Sequence, residues 1–438
     1  MRKPSVLFVN RVYPQDRGAT GRMLRDLAAA MVRDGWDVTV LATGARTATE
    51  QDEGVAVHRV RSRFRRKTPL AYGLTWIRLL AAAWRMPRHD LVVSMTDPPM
   101  LILAAGLVAA RRKSKHIHWC QDLYPELLPV LGYGIPESGV EFLARLTRQA
   151  MKKCDRVIVI GRCMARLLVH RGLDSRVLSV IPNWPDAELS GEQAEETAAP
   201  ARPRTVVRPM NVRPPSALFR DAHDMKFRVL YAGTLGQAHP VDTVLDAAQI
   251  LQKTHGDIEF VFVGNGPAFE RLARERGRRG LENIRLMPWQ PADRLRQLME
   301  SGDVHLVTMR HEAAGMLVPC KIYSALAAHR PCILVGPEHS EAGRILLDFN
   351  AGAVVPQGEA EALADTVRRF REDGDVWFSA QEGARRAGEV FLASESIRAW
   401  IERARSVLGP ELSQPLRFRK PEERRPAEAE QPREDRAA

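Results

Sequence analysis

The sequence predicts an α/β protein with two Rossmann-like, doubly wound domains that face a central cleft. Short buried strands alternate with amphipathic helices from residue 5 to about residue 181, and the same alternation resumes at residue 227. Such alternation is typical of parallel sheets covered by helices on both faces. With 438 residues, the chain is long enough for two such domains, each with its own core.

The first half opens with an apolar strand at 5–9 and a helix whose apolar spacing runs to Gly35. Short apolar runs predict the later strands, at 36–43, 90–94, 115–119 and 155–160. We place the end of this N-terminal domain at residue 186, so that it spans 1–186.

Residues 187–225 are rich in Glu, Ala, Pro and Arg and lack sustained periodicity, which predicts a flexible connector or insertion. A second domain is predicted at 226–394. A helix at 395–409 follows it and could cross back to the first domain. Residues 410–438 are polar and Pro-rich, and we expect a disordered tail.

Composition indicates a soluble globular protein, with 45% hydrophobic and 27% charged residues. The five cysteines form no C-x-x-C pair, which favours a reducing cytoplasm over a disulfide framework or a zinc site. The N-terminus runs straight into a strand rather than a signal-peptide core. The longest apolar stretch, 100–110, is roughly half of what a membrane-spanning helix needs, so we expect no transmembrane segment.

The net charge is +12, and the basic residues cluster beside apolar runs. The clusters are Arg61, Arg63, Arg65, Arg66 and Lys67, and Arg111, Arg112, Lys113 and Lys115. Such a pattern suits peripheral contact with the anionic inner face of a membrane. A solvated charged face on core helices explains it equally well. We find no nucleic-acid recognition motif and expect no nucleic-acid partner.

The segment 303–337 is the most informative for function. It predicts a buried strand at 304–308, a Gly-containing loop, a helix from about Lys321 and a strand at 332–335. A loop that ends at a helix N-terminus offers free backbone N–H groups to an anionic phosphate, and Lys321 adds a mobile cation. An ordinary strand–helix crossover with a surface lysine has the same local pattern.

A second glycine-containing loop, GTLG at 233–236, follows the first strand of the second domain. Glycine there lets the backbone approach phosphate groups closely. The candidate contacts in this loop are Gly233, Thr234 and Gly236. One strand later, Gly264 and Gly266 form a turn of a kind that more often shapes a strand-to-helix connection than touches a ligand.

The segment 303–337 also contains D-V-H-L-V-T, E-x-x-G, V-P-x-K and A-x-x-P in order. This pattern resembles the C-terminal donor-binding segment of family 4 glycosyltransferases, above all the bacterial branch that builds O-antigen, colanic acid and other exopolysaccharides. The resemblance covers most of residues 1–405 outside the connector. It implies the glycosyltransferase B (GT-B) architecture, with the active site between the two domains.

The chain departs from the family pattern at several positions. Cys320 stands where Ser or Thr is usual, and His329 where Gly is usual. Of the family's two loop glutamates, Glu312 matches the earlier, whereas the later position holds Ser324. No Arg or Lys follows Gly236, which leaves Lys321 as the candidate cation for the diphosphate.

The resemblance implies further donor-side residues. Gly315 lies in the loop that ends at Lys321, and Pro288 and Trp289 follow the strand where family enzymes receive the nucleobase. Gly18 and Gly21 occupy the position of the family's first glycine-rich loop. Glu341, at a helix start, either hydrogen-bonds sugar hydroxyls or occupies a favourable helix-dipole position.

On the acceptor side, HWCQDLYPE (118–126) resembles the family's D-x-x-P-E motif. Pro125 is expected to open a helix with Asp122 near its N-cap. The functional alternative places Asp122 or Glu126 in the cleft, where it orients the acceptor hydroxyl or the donor sugar.

The resemblance implies a retaining hexosyltransferase with a nucleotide-sugar donor, UDP-linked in our prediction, and a polyprenyl-diphosphate-linked or oligosaccharide acceptor. No metal-ligand spacing and no D-x-D pair is present, so we expect a metal-independent enzyme without a cofactor. Two alternatives remain, a UDP-sugar 2-epimerase of the same architecture and a non-catalytic partner protein. The predicted location is the cytoplasm, with peripheral attachment to the inner membrane face as the further option.

Overall fold

The computed structural model describes residues 2–14, 18–62, 69–190 and 226–409. They form two sheets, parallel except for one edge strand of the first, with helices on both faces, so the predicted fold class is confirmed. Most of the connector (191–225), the tail (410–438) and basic residues 63–67 lie outside the described residues.

The N-terminal sheet has eight strands in the order β3-β4-β2-β1-β5-β6-β7-β8. Its strands are β1 (Ser5–Val9), β2 (Asp37–Gly44), β3 (Ala48–Asp52), β4 (Val55–Arg61), β5 (Leu91–Ser94), β6 (Lys115–Cys120), β7 (Arg156–Val159) and β8 (Leu178–Val180). Its helices are α1 (Ala19–Arg33), α2 (Pro69–Arg85), α3 (Leu101–Arg112), α4 (Leu127–Val130), α5 (Glu137–Lys152), α6 (Arg162–His170) and α7 (Ala187–Ser190).

The C-terminal sheet has six parallel strands in the order β11-β10-β9-β12-β13-β14. They are β9 (Phe227–Ala232), β10 (Ile258–Val263), β11 (Ile284–Met287), β12 (Val304–Thr308), β13 (Cys332–Val335) and β14 (Gly352–Val355). The helices are α8 (Asp242–Thr254), α9 (Pro267–Arg279), α10 (Leu295–Ser301), α11 (Lys321–Ala327), α12 (Glu341–Phe349), α13 (Ala360–Glu372), α14 (Gly374–Val390) and α15 (Ala393–Leu408).

The central strand β1 pairs with β2 on one side and β5 on the other, with Val6 opposite both Val38 and Leu91. Strands this deep are apolar along their whole length because helices cover both faces. The carboxyl ends of β1, β5 and β6 therefore meet at one edge, and those of β9, β10 and β12 meet at the corresponding edge of the other sheet. Loops from these two edges build the site.

The last helix, α15, packs on the N-terminal sheet. Trp400 is fully buried there, with its ring 5.3 Å from that of Trp119 and 6.0 Å from that of Phe8. Arg405 pairs with Asp34 at 2.6 Å. The chain thus returns to the first sheet after completing the second, and this contact fixes the two sheets relative to each other.

A β-hairpin of β3 and β4 was missed by the sequence analysis. The edge strand β3 is antiparallel to β4, and Glu53 and Gly54 join them with φ of 50° and 82°. Positive φ at both central residues is typical of the tight turns that connect twisted hairpins. The polar sequence ATEQD of β3 carries no apolar alternation, so its pairing depends on its neighbour in space.

Over the described ranges, no helix combines the length and apolar character that a membrane span requires.

Candidate functional site

The loops after β9 and β10 are packed backbone to backbone. A Cβ at Gly264 would lie 2.2 Å from the Gly233 carbonyl oxygen, and one at Gly266 would lie 2.5 Å from that of Leu235. The Leu235 N–H donates to the Asn265 carbonyl at 2.8 Å. Gly264 and Gly266, with φ of 144° and 121°, therefore let the two loops pack closely and position the GTLG loop.

Lys321 and Gly233 are in direct contact, although 88 positions separate them in the numbering. A Cβ at Gly233 would lie 2.7 Å from Lys321 Cε, so the lysine side chain runs directly against this glycine. Lys321 Nζ stands 5.2 Å from the centre of the Tyr231 ring. Burial lowers the pKa of Lys321 to about 8. The Lys321 amine is thus held at the glycine loop, where a bound anion would favour its charged form.

The residues after Gly236, where the family often has an Arg or Lys, are Gln237, Ala238 and His239, and the histidine is neutral. Its Nδ1 lies 2.5 Å from the Thr308 carbonyl, to which it donates, and burial together with Lys321 lowers its pKa to about 3. A cation reaches the same turn from elsewhere. Arg310 Nε donates to the Gln237 carbonyl at 2.8 Å, and its backbone N–H donates to Ala238 at 2.9 Å.

Arg310 was missed because it lies 73 positions after Gln237 in the numbering. It could have been found from its position two residues after β12, because ligands of parallel sheets bind at the carboxyl ends of the strands. With Lys321, it makes two cations around the GTLG loop.

The open side of this region carries Thr234, Gly236 and Pro288. Thr234 and Pro288 are exposed, and a Cβ at Gly236 would meet only His239, at 3.9 Å. Trp289 is half-buried beside them, after β11, whose last carbonyl, that of Met287, accepts from the Gly264 N–H at 3.1 Å. The predicted nucleobase residues thus follow the strand next to the glycine turn.

The loop between β12 and α11 contacts both domains. At its far end, Gly315 packs against α6 of the N-terminal domain, where an added Cβ would lie 3.1 Å from Leu167 Cδ2. The Leu123 N–H donates to the Met316 carbonyl at 2.7 Å, which joins the two domains. Glu312 is exposed on a short 3₁₀ turn. Of this loop, the structure brings the Lys321 end to Gly233 and the Gly315 end to the opposite domain.

Asn183 provides a second connection between the domains. Its side-chain amide pairs with that of Gln121, through bonds of 2.8 and 3.1 Å. Asn183 Nδ2 also donates to Cys320 Sγ at 3.1 Å. The residue before Lys321 is thereby held against the N-terminal domain.

Asp122 lies in the turn after β6 and does not cap a helix, contrary to the expectation from Pro125. Helix α4 begins at Leu127, and Glu126 occupies the position before it. Burial and the neighbouring Asp97 raise the pKa of Asp122 to about 7. A carboxyl group that titrates near neutrality can both donate and accept hydrogen bonds to sugar hydroxyls.

Residues around Asp97, the neighbour of Asp122, were missed by the sequence analysis and come from other segments. Arg11, after β1, makes a two-point ion pair with Asp97, after β5, at 2.7 and 2.6 Å. The half-buried Tyr72 of α2 hydrogen-bonds with Tyr133, and burial together with Tyr133 raises the pKa of Tyr72 to about 12. These residues share a position at the carboxyl edge of the N-terminal sheet, and that position could have identified them.

Glu126, the second acid of the D-x-x-P-E motif, is engaged inside its own domain. It is buried, and its Oε1 accepts from Arg171 at 2.6 Å, with Arg148 at 3.6 Å. Its Oε2 has no partner among the described residues. Of the two predicted acids, the structure brings only Asp122 to Asp97.

Glu341 lies at the interface between the domains and makes hydrogen bonds across it. Its carboxylate accepts from the Arg162 backbone N–H at 2.5 Å, from Arg162 Nε at 2.8 Å and from the Cys163 N–H at 3.3 Å. It thus caps the N-terminus of α6, while Ser340 caps its own helix through a bond from Gly343 N at 3.2 Å.

Gly18 and Gly21 have different surroundings. Gly18 directly precedes α1 and has open space where a Cβ would stand, whereas a Cβ at Gly21 would lie 2.9 Å from Val12 Cγ1. Gly21 therefore lets α1 approach the loop after β1, and Gly18 leaves the start of the helix accessible.

Two family models match the chain, one for each sheet. Residues 18–184 match the glycosyl transferase 4-like domain, and residues 226–373 match the glycosyl transferases group 1 model. The chain is 26% identical over 295 residues to WcaI of Escherichia coli K12, named for glycosyl transfer in colanic acid biosynthesis; the match covers 66% of this chain and 67% of that protein.

The chain is also 26% identical over 291 residues to WbjE of Pseudomonas aeruginosa, named as a glycosyltransferase, over 66% of this chain and 68% of that one. In structure it resembles Anabaena HepE in complex with UDP-glucose, with a TM-score of 0.65 and 15% identity over 92% of this chain and 99% of that chain. Because the two family models together span most of the residues, the chain belongs to the GT-B glycosyltransferases that join a glycosyl transferase 4-like domain to a group 1 domain.

Proposed function

We propose that this protein is a retaining, metal-independent hexosyltransferase of bacterial cell-surface polysaccharide synthesis. It transfers a sugar from a UDP-linked donor to a lipid-linked oligosaccharide. The observation that carries the proposal is the contact between Lys321 and Gly233, because it sets a cation against a glycine loop at the carboxyl edge of the C-terminal sheet.

The departing nucleoside diphosphate gains negative charge in the transition state, which fixed positive groups stabilise. Lys321 and Arg310 lie on two sides of the same loop and provide such groups. Retention and independence from metal follow from the family resemblance. The colanic acid biosynthesis in the name of WcaI supports a polysaccharide pathway, and the UDP-glucose bound by HepE supports a UDP-sugar donor.

The acceptor hydroxyl would lie at Asp122, on the opposite side of the cleft. Asp122 follows β6 and Asp97 follows β5, so both stand where ligands of parallel sheets bind. A partly protonated Asp122 would orient the hydroxyl without a full charge of its own.

Contact with an anionic membrane is part of the proposal. Helix α3 packs between α2 and α5, and all three expose large apolar side chains. These are Leu74, Ile77, Trp84, Leu107, Phe142 and Leu146. The Arg111 guanidinium stands 4.5 Å from the Trp84 ring centre, so charge and apolar surface are interleaved. Such a face would bind anionic headgroups and insert apolar side chains between them.

The first test is thermal unfolding of the purified protein with UDP, GDP, ADP and dTDP. We expect stabilisation by UDP that is lost in Lys321→Ala. The same protein, supplied with UDP-hexoses and a lipid-linked oligosaccharide extract, should release UDP only when the acceptor is present. Conversion of the sugar nucleotide without acceptor would instead identify the epimerase alternative. Binding without either reaction would identify the non-catalytic one.

A further inference from the structure

A chain of buried side chains joins the acceptor and donor sides of the candidate site. Gln121, which precedes Asp122, pairs with Asn183 through two hydrogen bonds. Asn183 Nδ2 also donates to Cys320 Sγ at 3.1 Å, and Cys320 precedes Lys321. We propose that the Asn183–Cys320 bond couples the two sides, so that a nucleoside diphosphate at Lys321 orders the turn after β6. The inference rests on the proposed function and makes Asn183 a positioning residue for transfer.

The side-chain amide of Asn183 is fully used by this arrangement. One Nδ2 hydrogen is donated to Gln121 Oε1 at 2.8 Å and the other to Cys320 Sγ, while Oδ1 accepts from Gln121 Nε2 at 3.1 Å. Gln121 and Asn183 are both buried, and a buried donor that loses its partner is costly. Asn183 is therefore held in one orientation, with one hydrogen directed to each domain.

Asn183 is fixed to the N-terminal domain by the residue that follows it. The Trp184 ring stacks on that of Trp119 of β6, with ring centres 6.0 Å apart. The Trp184 indole N–H donates to Asp26 of α1 at 3.0 Å. The bond from Asn183 to Cys320 therefore runs from the N-terminal domain to the C-terminal domain.

The residue after Asp122 makes a second connection to the same loop. The Leu123 N–H donates to the Met316 carbonyl at 2.7 Å. Met316 and Cys320 both lie between β12 and α11, and Lys321 is the first residue of α11. An anion bound at Lys321 would restrict this loop, and the two connections would transmit the restriction to both sides of Asp122. By linkage, an acceptor that orders the turn would strengthen donor binding by the same factor.

The bond to sulfur can be removed without disturbing the amide pair. A thiol is a weak acceptor and a weak donor, and Cys320 Sγ donates to the Val318 carbonyl at 3.7 Å. Cys320→Ser keeps an acceptor for Asn183, because a hydroxyl oxygen replaces the sulfur. Cys320→Ala removes the acceptor and leaves the pair between Asn183 and Gln121 in place.

The test is hydrogen–deuterium exchange of the full chain with and without saturating UDP, measured by mass spectrometry. The GTLG loop (233–236) reports UDP binding, and residues 118–126 report the coupling. The variants are Cys320→Ala, Asn183→Ala, the combination of the two, and the conservative Cys320→Ser. Cys332→Ala, which removes a buried thiol from β13, is the matched control.

In the wild type we expect UDP to slow exchange in both segments, by about fivefold or more at 118–126, which is the lower end of typical coupling between sites. Cys320→Ala and Asn183→Ala should each keep the UDP effect at 233–236 and lose the effect at 118–126. Their combination should lose no more than either alone, because both remove the same bond. Cys320→Ser and the control should keep both effects.

A wild-type protein in which UDP slows exchange at 233–236 but not at 118–126 would overturn the inference. So would a UDP effect at 118–126 that survives in Cys320→Ala, or one that is lost equally in Cys320→Ser and in the control. A purely structural role of the bond would raise exchange at 118–126 equally with and without UDP, and the difference between the two states would persist. No UDP effect at 233–236 in the wild type would refute the donor site itself, and with it the proposed function.

Discussion

Glu341 of α12 caps the N-terminus of α6 in the other domain, with its carboxylate 2.5 Å from the Arg162 backbone nitrogen. Arg162 also pairs with Asp348 at 2.7 Å. A buried carboxylate at a helix N-terminus accepts orphan N–H groups and favours the helix dipole. The contact holds the two halves of the cleft at the present separation.

Glu341→Gln should loosen this interface. We expect a loss of about 1–2 kcal/mol, because one charged partner of a partly buried pair is removed while its size is kept. Thermal unfolding would measure the loss of stability, and the radius of gyration from X-ray scattering would detect the loosened interface. Asp348→Asn, on the exposed side of Arg162, is the control and should cost less than about 1 kcal/mol. An unchanged interface with altered donor-sugar preference would instead assign Glu341 to sugar binding.

UDP binding should weaken as pH rises through 8. Lys321 has a pKa of about 8 without ligand, and a bound diphosphate favours its charged form. Above pH 8 the free protein must therefore take up a proton to bind. Calorimetric titration of UDP between about pH 7 and pH 9 measures this effect. Lys321→Arg should bind with little pH dependence, because arginine stays charged, and a flat wild-type profile would refute the diphosphate contact.

Arg310→Ala should weaken binding of UDP by about tenfold, in keeping with the loss of one charge-assisted hydrogen bond. Uridine, which lacks phosphate, should be unaffected. Arg294→Ala, at an exposed position, provides the matched control. Equal losses for UDP and uridine would mean that Arg310 shapes the turn at Gln237 and does not contact the diphosphate.

Asp122→Asn should stabilise the protein at alkaline pH. The folded pKa of Asp122 is about 7, above its ordinary value of 3.8, so stability from the protonated form is lost as pH rises toward 7. The melting temperature should therefore rise at pH 8 and change little near pH 4, while transfer to the acceptor falls. Glu126→Gln should lower the melting temperature at pH 8, because the ion pair with Arg171 is broken. A lower melting temperature for Asp122→Asn at pH 8 would contradict the assignment.

Much of this structure could be predicted from local sequence patterns. The strands at 5–9, 304–308 and 332–335 have the predicted bounds, and α11 begins at Lys321. These elements are buried and continuously apolar, so their state depends little on distant residues. The order of the loops around a parallel sheet then follows from topology, which is why Gly233 and Lys321 could both be named from sequence as candidates for the diphosphate.

Other relationships arose only in three dimensions. Arg310 reaches the turn after Gly236, Glu341 caps a helix of the other domain, and Glu126 pairs with Arg171 inside its own domain. A side chain's partner is set by which strand ends and helix termini come together, and contacts between residues far apart in the chain leave no local pattern. The sequence by itself determined the fold class and the glycine loop with its lysine. The tertiary structure decided which charges lie at the glycine loop and which hold the domains together.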